Sequence, residues 1–229
     1  MPTVIAEGTQ HVIPSSVTDA LRGIRHFMAE DIRTARRYLS SLRIYDSIEA
    51  LRFQVLNKDT REQDLPELFN PLMQGNAVGV LSESGCPGIA DPGALAVSYA
   101  HRHNITVVPL VGPSSILLTL MASGLNGQRF AFHGYLPVDG KEAAKEIKDL
   151  ERESQQKNQT QLFIETPYRN NAVLDHLLNS LKATTHLCIA LDITGQQQMI
   201  KTKTVAEWKR SKPALPKEPC VFSFLAAKL

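Results

Sequence analysis

The sequence predicts an α/β protein built of two α/β domains, and three observations carry that prediction. Short continuous apolar runs alternate with segments of helical periodicity. Three strand-to-helix junctions are rich in glycine, proline and serine. The organisation changes near residue 113, so the domains are read as 1–113 and 114–229.

The chain of 229 residues, 43% of them hydrophobic, is long enough to bury a substantial core. Its net charge of +2 argues neither for nor against a nucleic-acid partner. The charge is uneven, however: seven arginines (22, 25, 33, 36, 37, 43 and 52) face Glu30, Asp31, Asp46 and Glu49. That run reads as a solvated helix face, with a phosphate-contacting face as the alternative. Cys86, Cys188 and Cys220 have no metal-ligand or disulfide spacing. No signal peptide or membrane-length apolar run stands out, and the chain reads as cytoplasmic.

Along the chain, the segment 24–39 contains a helix-like run from Asp31 to Leu39, with Ile32, Ala35 and Leu39 on one face and Arg33, Arg36 and Arg37 on another. An extended stretch at 52–56 and a helix at 65–73 follow. Residues 77–81 read as a strand buried on both faces. Asp91, Pro92 and Gly93 read as cap, first helical turn and close approach. A helix to about His103 and a second buried run at 105–110 then predict a right-handed βαβ unit with parallel strands. A helix over 116–123 ends at Gly124 as a left-handed cap. Strand-like 130–136, a charged helix at 141–157, a strand at 161–165 and a helix at 168–181 come next. Strands at 187–193 and 220–225 complete the set, and Thr204 to Glu207 has capping-box spacing.

The three junctions are 82–93, 112–115 and 165–167. In open α/β sheets ligands bind beyond the carboxyl ends of strands, where helix N-termini present N–H groups. Gly85, Gly88 and Gly112 would let the backbone approach a ligand. One such loop is an ordinary turn; three together predict a small-molecule site. There is no G-x-x-x-x-G-K-[ST], which excludes a P-loop nucleotidase, and no G-x-G-x-x-G. Leu81 to Gly85 lacks the first glycine of a nucleophile elbow. Cys86 has no paired histidine and reads as a small loop residue. His133, in an apolar strand, reads as a hydrogen-bonded core histidine.

Six segments carry a family resemblance: Ala29 to Leu39 (AEDIRTARRYL), Ser82 to Gly93 (SESGCPGIADPG), Pro109 to Ser115 (PLVGPSS), Ala122 to Leu125, Phe132 to Pro137 (FHGYLP) and Phe163 to Arg169 (FIETPYR). In this order they resemble the ribosomal RNA cytidine 2′-O-methyltransferase branch of the tetrapyrrole-methylase superfamily. They span residues 29–169, about three fifths of the chain. The resemblance implies a homodimer of two-domain α/β subunits with S-adenosyl-L-methionine in the cleft between the domains. It implies that Ser82, Glu83, Gly85, Pro87 and Gly88 lie along the cofactor, with Ser114 and Ser115 from the second loop and Glu165, Thr166 and Pro167 from the third. The strand near Pro219 and Cys220 would face the adenine.

Methyl transfer from a sulfonium is an in-line displacement with an excellent leaving group, so alignment supplies up to ~7–11 kcal/mol and no metal is required. With a sugar hydroxyl as acceptor, a carboxylate takes its proton. Glu30 and Asp31 are the candidate carboxylates, with Arg33 holding an anionic substrate group or one of them. The alternative is that both acids merely start a helix. Three features depart from the family. Little strand precedes the first glycine loop, which suggests a shortened start and a sheet lacking an element. Residues 190–195 (ALDITG) lack the arginine–glutamate pair and lysine of the rRNA enzymes, and the chain stops at Leu229. The sequence therefore predicts a methyltransferase acting on RNA, with rRNA or the ribosomal small subunit as partner. The alternatives are a methylase of tetrapyrroles or other small molecules, and a cofactor-binding protein without catalysis.

Overall fold

A computed structural model describes residues 1–227. The chain forms two compact units, Met1–Ser114 and the residues from Ser115 onward. Among the described residues no helix is long and apolar enough to cross a membrane.

The first unit is a three-stranded parallel sheet of His26–Ala29 (β1), Arg52–Val55 (β2) and Val78–Leu81 (β3), in the order β2-β1-β3. Its helices are Ser15–Arg22 (α1), Ile32–Ser41 (α2), Leu65–Leu68 (α3), Asn70–Met73 (α4) and Gly93–Arg102 (α5). The period-two alternation of a strand divides the core between two faces. Phe27 and Ala29 of β1 join Leu21, Ala35, Tyr38 and Leu39, whereas Met28 joins Leu65, Phe69, Ala96 and Ala100. The central strand is thus sandwiched by α1 and α2 on one side and by α3 and α5 on the other.

The helix-like run from Asp31 to Leu39 lies in α2 with Asp31 as its cap, and it is preceded by β1, the middle strand of the sheet, which the sequence pattern does not signal. Residues 105–110 form no strand, so the expected parallel pair with β3 is absent. Their apolar pattern serves packing rather than pairing. Ile105 and Val107 join the α5 side of the core and Leu110 the opposite side, while Val108 is 69% exposed. Pro109 also has no N–H to offer a ladder. Strand β3 is half-buried rather than buried on both faces. Near its end lie the first residues of the chain: the Met1 nitrogen donates to Val80 O at 2.6 Å, and Thr3 N to Gly85 O at 2.8 Å.

The second unit holds a five-stranded mixed sheet. Its strands are Phe130–Phe132 (β4), Thr160–Glu165 (β5), His186–Leu191 (β6), Met199–Thr204 (β7) and Cys220–Leu225 (β8), ordered β4-β5-β8-β6-β7. Only β4 and β5 are parallel; the other pairs are antiparallel. Its helices are Ser115–Ser123 (α6), Gly140–Lys157 (α7), Asn170–Ser180 (α8) and Val205–Arg210 (α9). Phe163, Phe222 and Phe224 pack under Ile147, Leu150, Leu174, Leu177 and Trp208 on one face. Leu162 meets Ile116 and Leu120 of α6 on the other. Strand β4 stops at Phe132, short of the expected 136, because Gly134 turns the chain with φ +70°. Strand β7, absent from the sequence reading, is an edge strand carrying Lys201 and Lys203, charges that suit an unpaired edge. The capping box forms as spaced: Thr204 Oγ1 accepts from Glu207 N, and Glu207 Oε2 from Thr204 N at 2.8 Å.

Gly112 has a different reason for being glycine than ligand access. A Cβ there would stand 2.0 Å from Pro2 Cβ, and Pro2 is itself tied down by a 3.0 Å hydrogen bond from Tyr38 Oη to its carbonyl. Gly112→Ala should therefore cost about 1–3 kcal/mol by overpacking. Pro2→Gly in the same chain should return part of that loss, measured by urea unfolding. Additive losses in the double variant would contradict this contact.

Candidate active site

The carboxyl ends of the three parallel strands gather the first unit's polar groups, as expected of an open α/β sheet. Glu30 and Asp31 follow β1, Asn57 and Lys58 follow β2, and the Ser82–Gly93 loop follows β3. An open depression of about 570 Å³ is lined by Glu30, Asp31, Arg33, Arg36, Val55 and Asn57. The Arg36 guanidinium rests 5.2 Å from the centroid of the Phe53 ring.

The Ser82–Gly93 loop is held shut by Asp91. Its Oδ1 accepts from Gly88 N at 2.9 Å and from Gly93 N at 2.7 Å. Asp91 does not occupy the cap position itself, which Pro92 takes, but its carboxylate still satisfies a donor at the start of α5. Gly88 has φ +80°, a left-handed conformation that favours glycine, and a Cβ at Gly93 would meet Asp91 Oδ1 at 2.7 Å. Gly85 packs against the second loop, where a Cβ would be 3.2 Å from Pro113 O. The Cys86 thiol donates to the same carbonyl at 3.3 Å, and burial raises its pKa. Cys86 is accordingly a structural contact of this loop. Ser82 is buried, its hydroxyl donating to Ser84 O at 3.1 Å, whereas Glu83 is exposed and Pro87 and Gly88 are partly so. Ser114 closes the unit, partly buried.

Adjacent acids have been given different work. Asp31 is the N-cap of α2, accepting from Thr34 N at 2.6 Å, and this bond with the nearby Arg33 holds its pKa below the usual carboxylate value. Glu30 caps nothing. Its pKa is raised, first by desolvation and then by the negative charges of Glu83 and Asp91, with Lys58 opposing. Because Ala29 of β1 is paired with Leu81 of β3, Glu30 leaves its strand beside the start of the Ser82–Gly93 loop. The sequence left both acids open as a base or a helix start; the geometry makes Asp31 the cap of α2.

In the second unit Ser115 is the first residue of α6, and its carbonyl accepts from Thr119 Oγ1 at 2.7 Å. Glu165, Thr166 and Pro167 form the turn after β5. The Glu165 side chain is fully buried, its Oε1 accepting from Thr166 N at 2.7 Å. Thr166 is exposed and Pro167 partly so. His133, just past β4, has Nε2 2.5 Å from Gln161 Oε1, the hydrogen-bonded histidine expected of that position. Arg169 was not singled out from the sequence, although it stands i+4 from Glu165, and its Nη1 lies 3.4 Å from Glu165 Oε2.

No family model matches the chain. Among curated proteins it is similar to the ribosomal RNA small subunit methyltransferase I of Buchnera aphidicola, 26% identical over 211 residues that span 91% of this chain and 71% of that protein. The Vibrio cholerae protein of that name is 28% identical over 207 residues, 90% of this chain and 68% of its own length. Among solved structures, the methyltransferase CobJ superimposes with a TM-score of 0.61 at 16% identity, over 95% of this chain and 90% of that one. The uroporphyrin-III-C-methyltransferase of Thermus thermophilus gives 0.54 at 13% identity, over 97% and 91%. The fold is therefore that of the tetrapyrrole methylases. In sequence the chain is similar to methyltransferases, those named ribosomal RNA small subunit methyltransferase I.

Asp31→Ala should lose about 1 kcal/mol of stability as a missing N-cap. Glu30→Ala should stay within about 0.5 kcal/mol of the parent, as expected of a residue with no packing or capping duty. Equal losses from the two, by denaturant midpoint, would contradict this division of roles.

Proposed function

We propose that the protein is an S-adenosyl-L-methionine-dependent methyltransferase acting on RNA, with ribosomal small-subunit RNA as the acceptor. The observation that carries this reading is the Asp91-closed glycine–proline loop at the carboxyl end of β3, set beside an uncapped, raised-pKa Glu30. The named relatives act on ribosomal RNA of the small subunit, which supplies the acceptor class.

The loop's chemistry suits a bound cofactor. The Cβ position of Gly88 is open, with no atom nearer than 3.7 Å, and Glu83 is free to reach a polar ligand group. In the first unit the proposed contacts are Ser82, Glu83, Gly85, Pro87, Gly88 and Ser114. Because the Ser82 hydroxyl is already engaged within the loop, its part is to shape the backbone. In the second unit they are Ser115, Glu165, Thr166 and Pro167, with Thr166 and Pro167 the accessible members.

When bound, S-adenosyl-L-methionine supplies an electrophilic methyl group. The acceptor oxygen would bond to that carbon with loss of the carbon–sulfur bond, S-adenosylhomocysteine being the leaving group. The displaced hydroxyl proton goes to Glu30, whose raised pKa makes it a better base than an ordinary carboxylate. Arg33 and Arg36, on the same depression, hold phosphates of the acceptor strand. Asp31 contributes by fixing the start of α2, and with it the position of Arg33. We further place the protein in the cytoplasm as a homodimer.

Purified protein should transfer labelled methyl from S-adenosyl-L-methionine to small-subunit RNA or particles. Absence of transfer to any RNA would sink the acceptor assignment, and transfer to a tetrapyrrole instead would move it to the other branch of the superfamily. Glu30→Gln should lower kcat roughly 10²–10⁴-fold with little change in stability. In the parent, the rate should fall as pH drops through the Glu30 pKa, at a higher pH than an unperturbed glutamate would give. That acid limb should vanish in the variant, and a variant as fast as its parent would remove Glu30 from the mechanism.

A further inference from the structure

Three loops meet at one end of the second unit's sheet: residues 133–138 after β4, 166–169 after β5, and 215–219 before β8. They meet there because β4 and β5 run parallel and β8 returns antiparallel, with Glu165 opposite Cys220. The start of α8 is tied to both flanking loops. Asn170 Nδ2 donates to Glu218 O at 2.7 Å, and Asn171 exchanges two hydrogen bonds with the Leu215 backbone, at 2.8 and 2.9 Å. Arg169 reaches the other way, its Nη2 donating to Pro137 O at 3.0 Å and Leu136 O at 3.5 Å. Its Nη1 meanwhile pairs with Glu165 Oε2 at 3.4 Å.

The cost of this arrangement is informative. Glu165 is a fully buried carboxylate side chain and Arg169 is only 28% exposed, so both ions have given up much of their water. A buried pair is a weak source of stability, and apolar replacement is often neutral. What an apolar pair could not do is donate to two carbonyls of one loop while accepting from the backbone of the next. The first half of the 133–138 loop is held by ladder bonds, His133 N to Leu162 O and Ile164 N to Gly134 O. Past Gly134, Arg169 ties down the carbonyls of Leu136 and Pro137.

We propose that Arg169 is a positioning residue that, through Glu165, sets the Leu136–Pro137 loop and the Glu165–Thr166–Pro167 turn in the geometry that receives the cofactor. The proposal rests on the cofactor reading above for the ligand, but the coupling of the two loops stands on the geometry alone.

Arg169→Gln, Arg169→Lys and Glu165→Gln can be compared by amide hydrogen exchange and by calorimetric titration with S-adenosyl-L-methionine. Arg169→Gln should speed exchange at least tenfold at residues 135–138 and at Thr166, and weaken binding at least tenfold. Glu165→Gln should loosen the same two loops, and Arg169→Lys should recover part of the affinity. Exchange and affinity matching the parent in Arg169→Gln would overturn the proposal, as would loosening confined to the mutated turn. Should Arg169→Gln fold poorly, the lysine variant decides: parental exchange together with parental affinity would also overturn it. A parent chain that does not bind S-adenosyl-L-methionine, yet loosens both loops on substitution, would refute the cofactor reading and keep the strut.

Discussion

The candidate site depends on one carboxylate, that of Asp91, which accepts from the backbone N–H groups of Gly88 and Gly93. Charge-assisted bonds of this kind contribute about 1.5–3 kcal/mol each, enough to hold a loop whose residues have little side chain to pack. The surrounding composition follows from it. Gly93 lacks a Cβ because Asp91 fills that space, and Gly88 is bent into a left-handed conformation where its N–H turns inward. With Gly85 and Cys86 seated on Pro113, the loop is fixed from both ends. Preorganisation of this sort is what alignment-driven methyl transfer requires.

Much of this was legible in the sequence, and the parts that were not share a cause. Helices α5 and α7, strand β5, and the capping box at Thr204 were readable because long periodic segments and spaced caps are local signals. Strand β1 was missed because four residues, His26–Ala29, are too few for a period to show beside a strongly amphipathic helix. The run at 105–110 misled in the opposite sense: its apolar residues pack against both faces of the core without entering a ladder. Pairing is a property of the neighbour as well as of the segment. Strand β7 carries Met199 and Ile200 beside alternating lysines, an edge pattern that is visible once β6 is in place.

The site shows the same limit. The sequence brought Glu30, Asp31 and the glycine loop forward as candidates, yet it could not divide labour between adjacent acids. Which of them caps α2 depends on where β1 ends, a shift of one residue. Gly112 was assigned to ligand access when its neighbour is Pro2, more than a hundred positions away in the chain. Arg169 escaped notice because its partners, Leu136 and Pro137, lie on a different loop. Long-range neighbours are what a single sequence conceals, and here they decide how the candidate site is shaped.

The proposed function makes the Asp91-closed loop a wall of the cofactor site. It is tested most directly by hydrogen exchange of the parent protein with and without S-adenosyl-L-methionine. Slower exchange across residues 82–93 on adding the cofactor, saturating with its concentration, is the predicted result. Saturable binding that leaves those amides unchanged, or no binding at all, would contradict it.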